Sequence, residues 1–536
     1  IIVEGNGEPG PSWNAGGIVG KNYTDTYNAP EITRNQNIIT ITNTKNHGNV
    51  QSSNHLGGII GATIAIEVNI DNCEVSGTND NKINIVDTYA GDKGGIIGYL
   101  KSESLSITNC DINNVIFVRK GEISNNTYGA TAGVIGCIFE EDNDKMSKIE
   151  ILNCNVGNCK ISTLGKETAG IIGLAYGSGR YNSEPLIEDC IISDCSVNNC
   201  EILNDKVIST YGSSAGILAA TWGVKNININ NCGVNNSNIT SNCYVNNGND
   251  MDVGGILGIS SYAQNVELKN CDVENTDIIN NSGSGDTNAN VGGIVAAVSP
   301  YYSNNVELSI INCNWKNGNM TAQQGNAGGI LGWIGPCKNE GKIENCKVEG
   351  VNINSEANDS SNSNTAGIVA TAGKTLNMKN CNLLNSSITG KGSNTAGILA
   401  LGNTNAYQKG TYKVTDCHVY NTDINSEHEF EGYSSNNSTA GLIAYVGDNL
   451  IINNCTVKKG NDRGSVIGKG AQVSGGIAGA YEIQASNCSI SGINIECNST
   501  ILSNMSFSRT ISGFLGVQCS NTEENKLQNI TVKDVT

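Results

Sequence analysis

The chain has 536 residues, a net charge of −18, and 65 glycines against 6 prolines. This acidic balance disfavours a nucleic acid partner, because phosphate binding needs clustered lysine and arginine. The low proline content excludes a collagen-like or proline-rich chain. We find no run of 18 apolar residues in the sequence, which therefore predicts no membrane span.

A glycine box, made of Gly, two aliphatic residues and a Gly or Ala, recurs along the whole chain. Most copies lie 35 to 39 residues apart. A period in this range is the signature of a solenoid or propeller, whose units bury their apolar faces against their neighbours. No linker interrupts the repeats, so we expect one continuous solenoid over residues 1–536. The repeated glycines are Gly17, Gly58, Gly95, Gly133, Gly170, Gly216, Gly255, Gly293, Gly329, Gly367, Gly397, Gly441, Gly476 and Gly513.

A second box, Asn-Cys-x-Val, follows nearly every glycine box and shows how the chain bends. In a straight strand Leu268 and Cys271 would face opposite sides, so both point inwards only if the chain turns at Asn270. Asparagine tolerates the left-handed backbone that such a corner needs. A second corner is expected two residues after the valine. Examples of that position are Asn275, Gly350 and Asn421.

These spacings predict an all-β fold, a right-handed parallel β-helix of about 14 repeats of about 38 residues. One or two coils per repeat both fit the pattern. Stacked corner amides would bond to one another as a ladder, with a stack of cysteines beside it. The predicted ladder residues are Asn72, Cys73, Asn109, Cys110, Asn153, Cys154, Asp194, Cys195, Asn231, Cys232, Asn270, Cys271, Asn312, Cys313, Asn345, Cys346, Asn380, Cys381, Asp416, Cys417, Asn454, Cys455, Asn487 and Cys488.

The twenty cysteines allow three interpretations. The corner slot also accepts Ile530 and Thr44, so a small buried group suffices there, and we favour inert thiols. Disulfides among the cysteines outside the slot are the alternative. The sequence has no CxxC pair, which disfavours zinc. Cysteines outside the slot include Cys137, Cys159, Cys200 and Cys243.

The search for catalytic residues favours none, and no cofactor is expected. Asn275-Thr-Asp277 and Asn421-Thr-Asp423 are similar to the Asn-Thr-Asp of polygalacturonases, but the rest of that pattern is missing and both fall at corners. The four histidines are too scattered for a triad, and we expect His418 to face solvent. The histidines are His47, His55, His418 and His428.

Two loops and a set of sequons remain as binding or modification candidates. The acidic segments 249–252 and 140–144 suit weak calcium binding, although we favour solvated loops. Sequons in loops could carry glycans if a eukaryote made the protein. The candidate glycosylation sites are Asn22, Asn125, Asn235, Asn238, Asn358, Asn436 and Asn498.

The Gly-Gly-Ile-Ile-Gly boxes resemble the GLUG-type repeats of bacterial adhesin-like surface proteins. Their pairing with an Asn-containing turn is also similar to the Gly-Gly-Ala-Ile repeats of polymorphic outer-membrane passenger domains. These resemblances cover all the repeats. They imply an extracellular or cell-surface location and an adhesive or structural role rather than an enzymatic one.

We therefore predict a secreted or surface-bound structural and adhesive rod. We see no polar cap in the sequence, so end-to-end assembly with other copies is a hypothesis. One alternative is a carbohydrate-active β-helix, such as a polysaccharide lyase or glycosidase. Another is a module that binds host or surface glycans, or a receptor, through the long loops 282–291, 354–365 and 425–439.

Overall fold

The computed structural model describes the chain in segments. The described residues are 14–21, 37–87, 91–119, 129–140, 145–164, 167–177, 185–205, 212–243, 251–282, 289–299, 306–335, 340–356, 363–402, 410–427, 437–469, 472–498, 510–518 and 525–536. The chain divides into two compact units. Unit 1 comprises Ile1–Glu267, Ser282–Gly285 and Tyr301–Ser303, and unit 2 comprises Leu268–Asn281, Asp286–Pro300 and Asn304–Thr536.

Each unit is a parallel β-solenoid, and within the described segments the regular elements are all strands. One repeat makes one turn, since Thr131, two residues before one glycine box, pairs with Thr168, two residues before the next box. The predicted fold class is confirmed. The described segments amount to about 11 turns of about 37 residues. This is slightly fewer than the fourteen predicted repeats, because parts of many turns lie outside those segments.

Four parallel sheets follow one another around each turn. The glycine sheet contains the short strands that enter the glycine boxes. In unit 1 they are Ala15–Gly16, Leu56–Gly57, Lys93–Gly94, Thr131–Ala132, Thr168–Ala169, Ser214–Ala215 and Val253–Gly254. In unit 2 they are Val291–Gly292, Ala327–Gly328, Asn364–Ala366, Asn394–Ala396, Ser438–Ala440, Gln472–Ser474 and Thr510–Ser512.

The long sheet runs from the glycine box to the Asn-Cys corner. Its strands in unit 1 are Val19–Lys21, Ile38–Thr42, Ile60–Asp71, Ile97–Thr108, Ile135–Glu140, Met146–Leu152, Ile172–Gly177, Ile187–Ser193, Leu218–Trp222, Val224–Asn230, Leu257–Ser261 and Asn265–Lys269, the last of which begins in that unit. In unit 2 they are Val295–Ser299, Glu307–Ile311, Leu331–Ile334, Gly341–Glu344, Val369–Ala372, Leu376–Lys379, Leu399–Gly402, Thr411–Thr415, Ile443–Asn453, Ile477–Ser486, Leu515–Gln518 and Lys526–Gln528.

The valine sheet lies between the two corners and contributes one buried side chain per turn, usually a valine, in each of its described strands except Lys45–Asn46 and Thr531–Lys533. In unit 1 its strands are Lys45–Asn46, Glu74–Ser76, Asp111–Asn113, Asn155–Gly157, Ser196–Asn198 and Gly233–Asn235. In unit 2 they are Asp272–Glu274, Asn314–Lys316, Lys347–Glu349, Asn382–Leu384, His418–Tyr420, Thr456–Lys458, Ser489–Ser491 and Thr531–Lys533.

The isoleucine sheet follows the second corner and completes the turn. In unit 1 its strands are Val50–Ser52, Ile83–Asp87, Val115–Arg119, Lys160–Thr163, Glu201–Asn204 and Asn238–Ser241. In unit 2 they are Asp277–Asn280, Asn319–Ala322, Asn352–Ser355, Ser387–Gly390, Asp423–Ser426, Ser465–Gly468 and Asn494–Cys497.

The core is thin because the glycine box lies directly opposite the valine sheet. A Cβ placed on Gly170 would lie 2.4 Å from Cγ2 of Val197 and 2.1 Å from the carbonyl oxygen of Gly216 in the next turn. Gly133 has the same relation to Val156. The valine side chain therefore occupies the space that a missing Cβ leaves, and the two boxes are opposite walls of one core.

This contact predicts a large effect from one added methyl group. We expect Gly170→Ala to lower the free energy of unfolding by about 1–3 kcal/mol, because overpacking forces neighbouring backbone to move. A Cβ on Gly157 would be 3.3 Å from the nearest atom, the side-chain oxygen of Asn113, so Gly157→Ala is the matched control. Urea unfolding of the two variants measures the difference. Equal stabilities would contradict this account of the core.

Candidate functional site

All twelve Asn or Asp residues of the predicted ladder have left-handed backbone, with φ between 51° and 55°. The second corner is also left-handed, with φ of 49° at Asn275, 66° at Gly350 and 50° at Asn421. A left-handed residue ends the strand before it and redirects the chain. Each Asn-Cys box is therefore a corner that lets the residues on both sides of it face the core.

The corner amides bond along the stack in both units. Nδ2 of Asn153 donates to Oδ1 of Asn109 at 2.8 Å, and Nδ2 of Asn380 donates to Oδ1 of Asn345 at 2.9 Å. The ladder has a break at Asn109, because its Nδ2 donates to Oδ1 of Asp71 instead of Asn72. The amide groups of the corners are thus largely used within the stack.

The twelve corner cysteines are buried thiols that form no disulfide. Their thiols have a hydrogen-bonding role as well as a packing role. Sγ of Cys154 donates to the carbonyl of Leu152 at 3.4 Å, across the corner. Where Thr44 replaces cysteine, Oγ1 makes the same bond to the carbonyl of Thr42 at 3.0 Å. The carbonyl of Leu152 also accepts the backbone N–H of Asn109 at 3.0 Å, so the thiol adds a second bond to a carbonyl that is already in the backbone ladder.

The cysteines outside that slot are also buried thiols that form no disulfide at Cys137, Cys159, Cys200 and Cys243. Cys159 and Cys200 follow the second corner and donate to the carbonyls of Gly157 and Asn198, at 3.1 and 3.3 Å. The disulfide alternative is therefore wrong for these four. Cys337 and Cys519 lie outside the described segments.

The histidines and the Asn-Thr-Asp segments occupy repeat positions. His418 is half-buried, and its Nδ1 is 3.0 Å from Oγ1 of Thr456. Oδ1 of Asp277 accepts bonds from both the backbone and side-chain nitrogens of Asn319, at 2.8 and 2.9 Å. Oδ1 of Asp423 accepts three bonds from the next turn, including one from Oγ of Ser465 at 2.7 Å. These carboxylates join one turn to the next. His428 lies outside the described segments.

The expectation of solvated acidic loops is wrong at the two carboxylates that can be checked. Glu140 and Asp252 are both fully buried, and Oε1 of Glu140 accepts a bond from the backbone nitrogen of Ser102 at 2.9 Å. The rest of the two segments, apart from Met251, lies outside the described residues. In the part of the chain that is described, no group of three or more His, Cys, Asp or Glu residues could hold a metal ion.

Of the candidate glycosylation sites, Asn238 and Asn498 are exposed and Asn235 is half-buried. Nδ2 of Asn235 donates to Oδ1 of Asn198 at 3.2 Å. Asn22, Asn125, Asn358 and Asn436 lie outside the described segments, as do most residues of the three long loops.

A shallow polar groove of about 420 Å³ lies on the outer face of the valine sheet in unit 1. Glu74 and Asp111 are paired on adjacent turns there, so their Cα atoms are about 4.8 Å apart. The hydrogen bond from Lys45, then that from Ser76, holds the pKa of Glu74 below its usual range. Nδ2 of Asn155 donates to Oδ1 of Asp111 at 3.0 Å. This groove presents carboxylate, amide and hydroxyl groups to solvent.

The lysine and histidine at the first turn complete this patch. Nζ of Lys45 is 2.6 Å from Oε2 of Glu74. Nδ1 of His47 is 3.2 Å from Oγ of Ser76, whose hydroxyl also bonds to Glu74. The histidine does not lie between the serine and the carboxylate, so the order of a Ser-His-acid triad is absent from this cluster.

Unit 1 also contains a column of rings that sequence reasoning missed. The rings of His55 and Tyr99 are stacked with centroids 4.6 Å apart, and those of Phe139 and Tyr176 with centroids 4.9 Å apart. Because the ring faces cover each other, they offer little open surface for stacking on a sugar. The signal was available, since these residues recur at the spacing of the repeat.

Buried polar columns were missed as well. In unit 2, Nδ2 of Asn326 donates to Oδ1 of Asn290 and Nδ2 of Asn364 donates to Oδ1 of Asn326, at 2.8 and 3.0 Å. In unit 1, Nζ of Lys93 is 3.4 Å from Oδ2 of Asp87, and both side chains are almost completely buried. Buried ions and amides persist only when they are paired.

No family model matches the chain, and no curated protein matches it either. One solved structure to which it is similar is an alginate lyase of the PL6 family in a mutant form, at 10% identity over 97% of this chain and 100% of that chain. The TM-score is 0.13, which is too low to support any argument. In the described part of the chain, no helix has the length and apolarity to cross a membrane.

The left-handed corner predicts different costs for two substitutions. We expect Asn153→Ala to lower the free energy of unfolding by about 1–2 kcal/mol, because an alanine is strained at a φ of 51° and the bond to Asn109 is lost. Asn153→Gly keeps the backbone unstrained and should cost less. Urea unfolding distinguishes the two variants. A glycine variant less stable than the alanine variant would contradict the claim that residue 153 needs a left-handed backbone.

Burial of the thiols predicts a loss of stability in alkali. Burial, with a contribution from Asp189, raises the pKa of Cys190 to about 12. An unfolded cysteine ionises near pH ~8.5, so this stabilisation is complete below that pH and is lost as pH rises towards about 12. We expect Cys190→Val to lose less stability than wild type between these pH values. The variant Ile149→Val, in the adjacent turn, is the control and should follow wild type.

Proposed function

We propose that the protein is an extracellular structural and adhesive solenoid whose outer face binds glycans. The observation that supports glycan binding most directly is the polar groove on the valine sheet of unit 1, where amide, hydroxyl and carboxylate groups of successive turns face solvent. Such groups form hydrogen bonds with the hydroxyls of a sugar chain. The exposed sequons at Asn238 and Asn498 and the resemblance to surface repeats support the location.

The second candidate is a carbohydrate-active enzyme, and the pairing of Glu74 with Asp111 favours it. A glycosidase uses two carboxyl groups and needs one of them with a raised pKa to act as general acid. Lys45 and Ser76 lower the pKa of Glu74 instead, which keeps this carboxyl ionised. The environment of Glu74 therefore supports binding better than acid catalysis.

A pair of matched variants tests the binding function. Asn155 in the groove and Asn314 in unit 2 each donate Nδ2 to the aspartate of the preceding turn, at 3.0 and 2.8 Å. We expect the purified chain to bind immobilised polysaccharides and Asn155→Ala to weaken that binding about tenfold, since a hydrogen bond contributes about 1 kcal/mol or more. Asn314→Ala should bind as wild type does.

Two outcomes would contradict the proposal. Equal binding by both variants would show that the groove is not the polysaccharide-binding site. Release of soluble sugars from the same polysaccharides, lost in Asp111→Asn, would establish the enzyme instead.

A further inference from the structure

The groove on the valine sheet of unit 1 has a carboxylate with no cationic partner among the described residues. The first outward position of its strands holds Lys45, then Glu74, then Asp111 in successive turns. Nζ of Lys45 is 2.6 Å from Oε2 of Glu74, so these two charges form a pair. The side-chain partner of Asp111 is a neutral amide, because Nδ2 of Asn155 donates to its Oδ1 at 3.0 Å. The charge of Asp111 is therefore available to a ligand.

A further carboxylate, that of Asp71, lies before the first corner of the Glu74 turn. Hydrogen bonds from Thr108, then from Asn109, hold the pKa of Asp71 below its usual range, so this carboxyl stays ionised. The bond from Nδ2 of Asn109 is 2.8 Å long and comes from the turn that contains Asp111. Asp71 and Asp111 together give this side of the groove a negative field, which attracts cations and repels anions.

A missing side chain opens the groove next to this charge. At the second outward position of the strands, Asn113 pairs with Gly157, and Gly157 pairs with Asn198. In the described part of the chain, a Cβ on Gly157 would have only atoms of Asn113 within 4 Å, the nearest at 3.3 Å. Two residues along the strand and one turn across separate Gly157 from Asp111 by about 8 Å. A single sugar ring with one substituent spans this separation.

We propose that the groove binds a glycan that carries free amino groups, such as a polymer of hexosamine without N-acetyl groups. The ammonium group of one sugar contacts the Asp111 carboxylate, and the ring lies over Gly157 between Asn113 and Asn198. This inference rests on the proposed glycan-binding function and names its ligand class. The ammonium supplies the positive charge that Asp111 lacks, and such a charged hydrogen bond is about twice as strong as a neutral one.

The same charges rank the other glycan classes below this one. An N-acetylated glycan retains the ring contacts at Gly157 but has no charge to offer Asp111. A polymer of uronate or sulfated sugars has the same sign of charge as Asp71 and Asp111, and approach to the groove costs electrostatic repulsion. The expected order of affinity is therefore free amine, then N-acetylated, then anionic.

Two oligosaccharides of equal length test the ligand class, a glucosamine oligomer and its N-acetylated counterpart. Isothermal titration calorimetry measures both at a mildly acidic pH, where the sugar amine is protonated. We expect wild type to bind the glucosamine oligomer at least about tenfold more tightly. The difference should shrink as the salt concentration rises, because salt screens the contact between exposed charges.

Three variants locate the contacts. Asp111→Asn removes the charge but leaves an oxygen for Asn155, so it should reduce the affinity for the glucosamine oligomer to that for the N-acetylated one and leave the latter unchanged. Asp272→Asn in unit 2 is the matched control, since Nδ2 of Asn314 donates to Oδ1 of Asp272 at 2.8 Å, and it should bind as wild type does. Gly157→Leu fills the opening and should weaken the binding of both oligomers.

Unfolding curves confirm that each variant is folded before it is compared. Equal affinity of wild type for the two oligomers, or an Asp111→Asn variant that keeps the preference, would overturn the ammonium contact. Unchanged binding by Gly157→Leu would overturn the position of the ring. If neither oligomer binds but other polysaccharides do, and Asn155→Ala loses them, the ligand class is refuted while the proposed glycan binding stands. No binding of any polysaccharide would refute both.

Discussion

The structure depends on two left-handed corners placed five residues apart in most of the described turns, as at Asn270 and Asn275. This spacing fixes a three-residue strand in the valine sheet, and the alternation of side chains allows that strand one inward residue, Val273. A single inward side chain makes the turn narrow, so the opposite wall must have no Cβ. The glycine box and the corner box therefore both follow from the narrow width of the turn, and the core can pack only when both are present.

Strand parity made much of this predictable. The inward direction of the cysteine and valine, the bend at asparagine and the second corner all follow from alternation plus the conformational tolerance of asparagine. Parity could not predict how the core accommodates Trp315, which takes the valine position and is completely buried. Its Nε1 is 2.7 Å from where a Cβ of Gly318 would lie. Gly318 occupies the slot after the second corner, where Thr276 and Val351 have larger side chains, and this loss of volume accommodates the indole. Such compensation between two positions appears only when they are seen together.

The polar columns were harder to predict for a different reason. Asn290, Asn326 and Asn364 precede or begin the glycine-sheet strands, and the number of residues between them and the preceding isoleucine strand varies, so their alignment is obscured in the sequence. Their burial contradicts the usual expectation for asparagine, and only the in-register neighbour explains it. Each amide finds its partner one turn away, as Asn326 does with Asn290. The candidate groove was missed because it combines Glu74, Asp111 and Asn155 from three repeats, each of which looks ordinary alone.

In a solenoid with paired columns, a repeated polar residue bonds to its own equivalent in the next turn and has little capacity left for a ligand. The proposed binding of glycans would then depend on a place where the residue type changes along a column. The first outward column of the valine sheet in unit 1 does so, running through Lys45, Glu74, Asp111, Asn155 and Ser196. The side chains along it change from charged at Lys45, Glu74 and Asp111 to neutral at Asn155 and Ser196. This gradient distinguishes one part of the face from the rest, which the corner ladder cannot do, because its left-handed backbone restricts it to asparagine, aspartate or glycine.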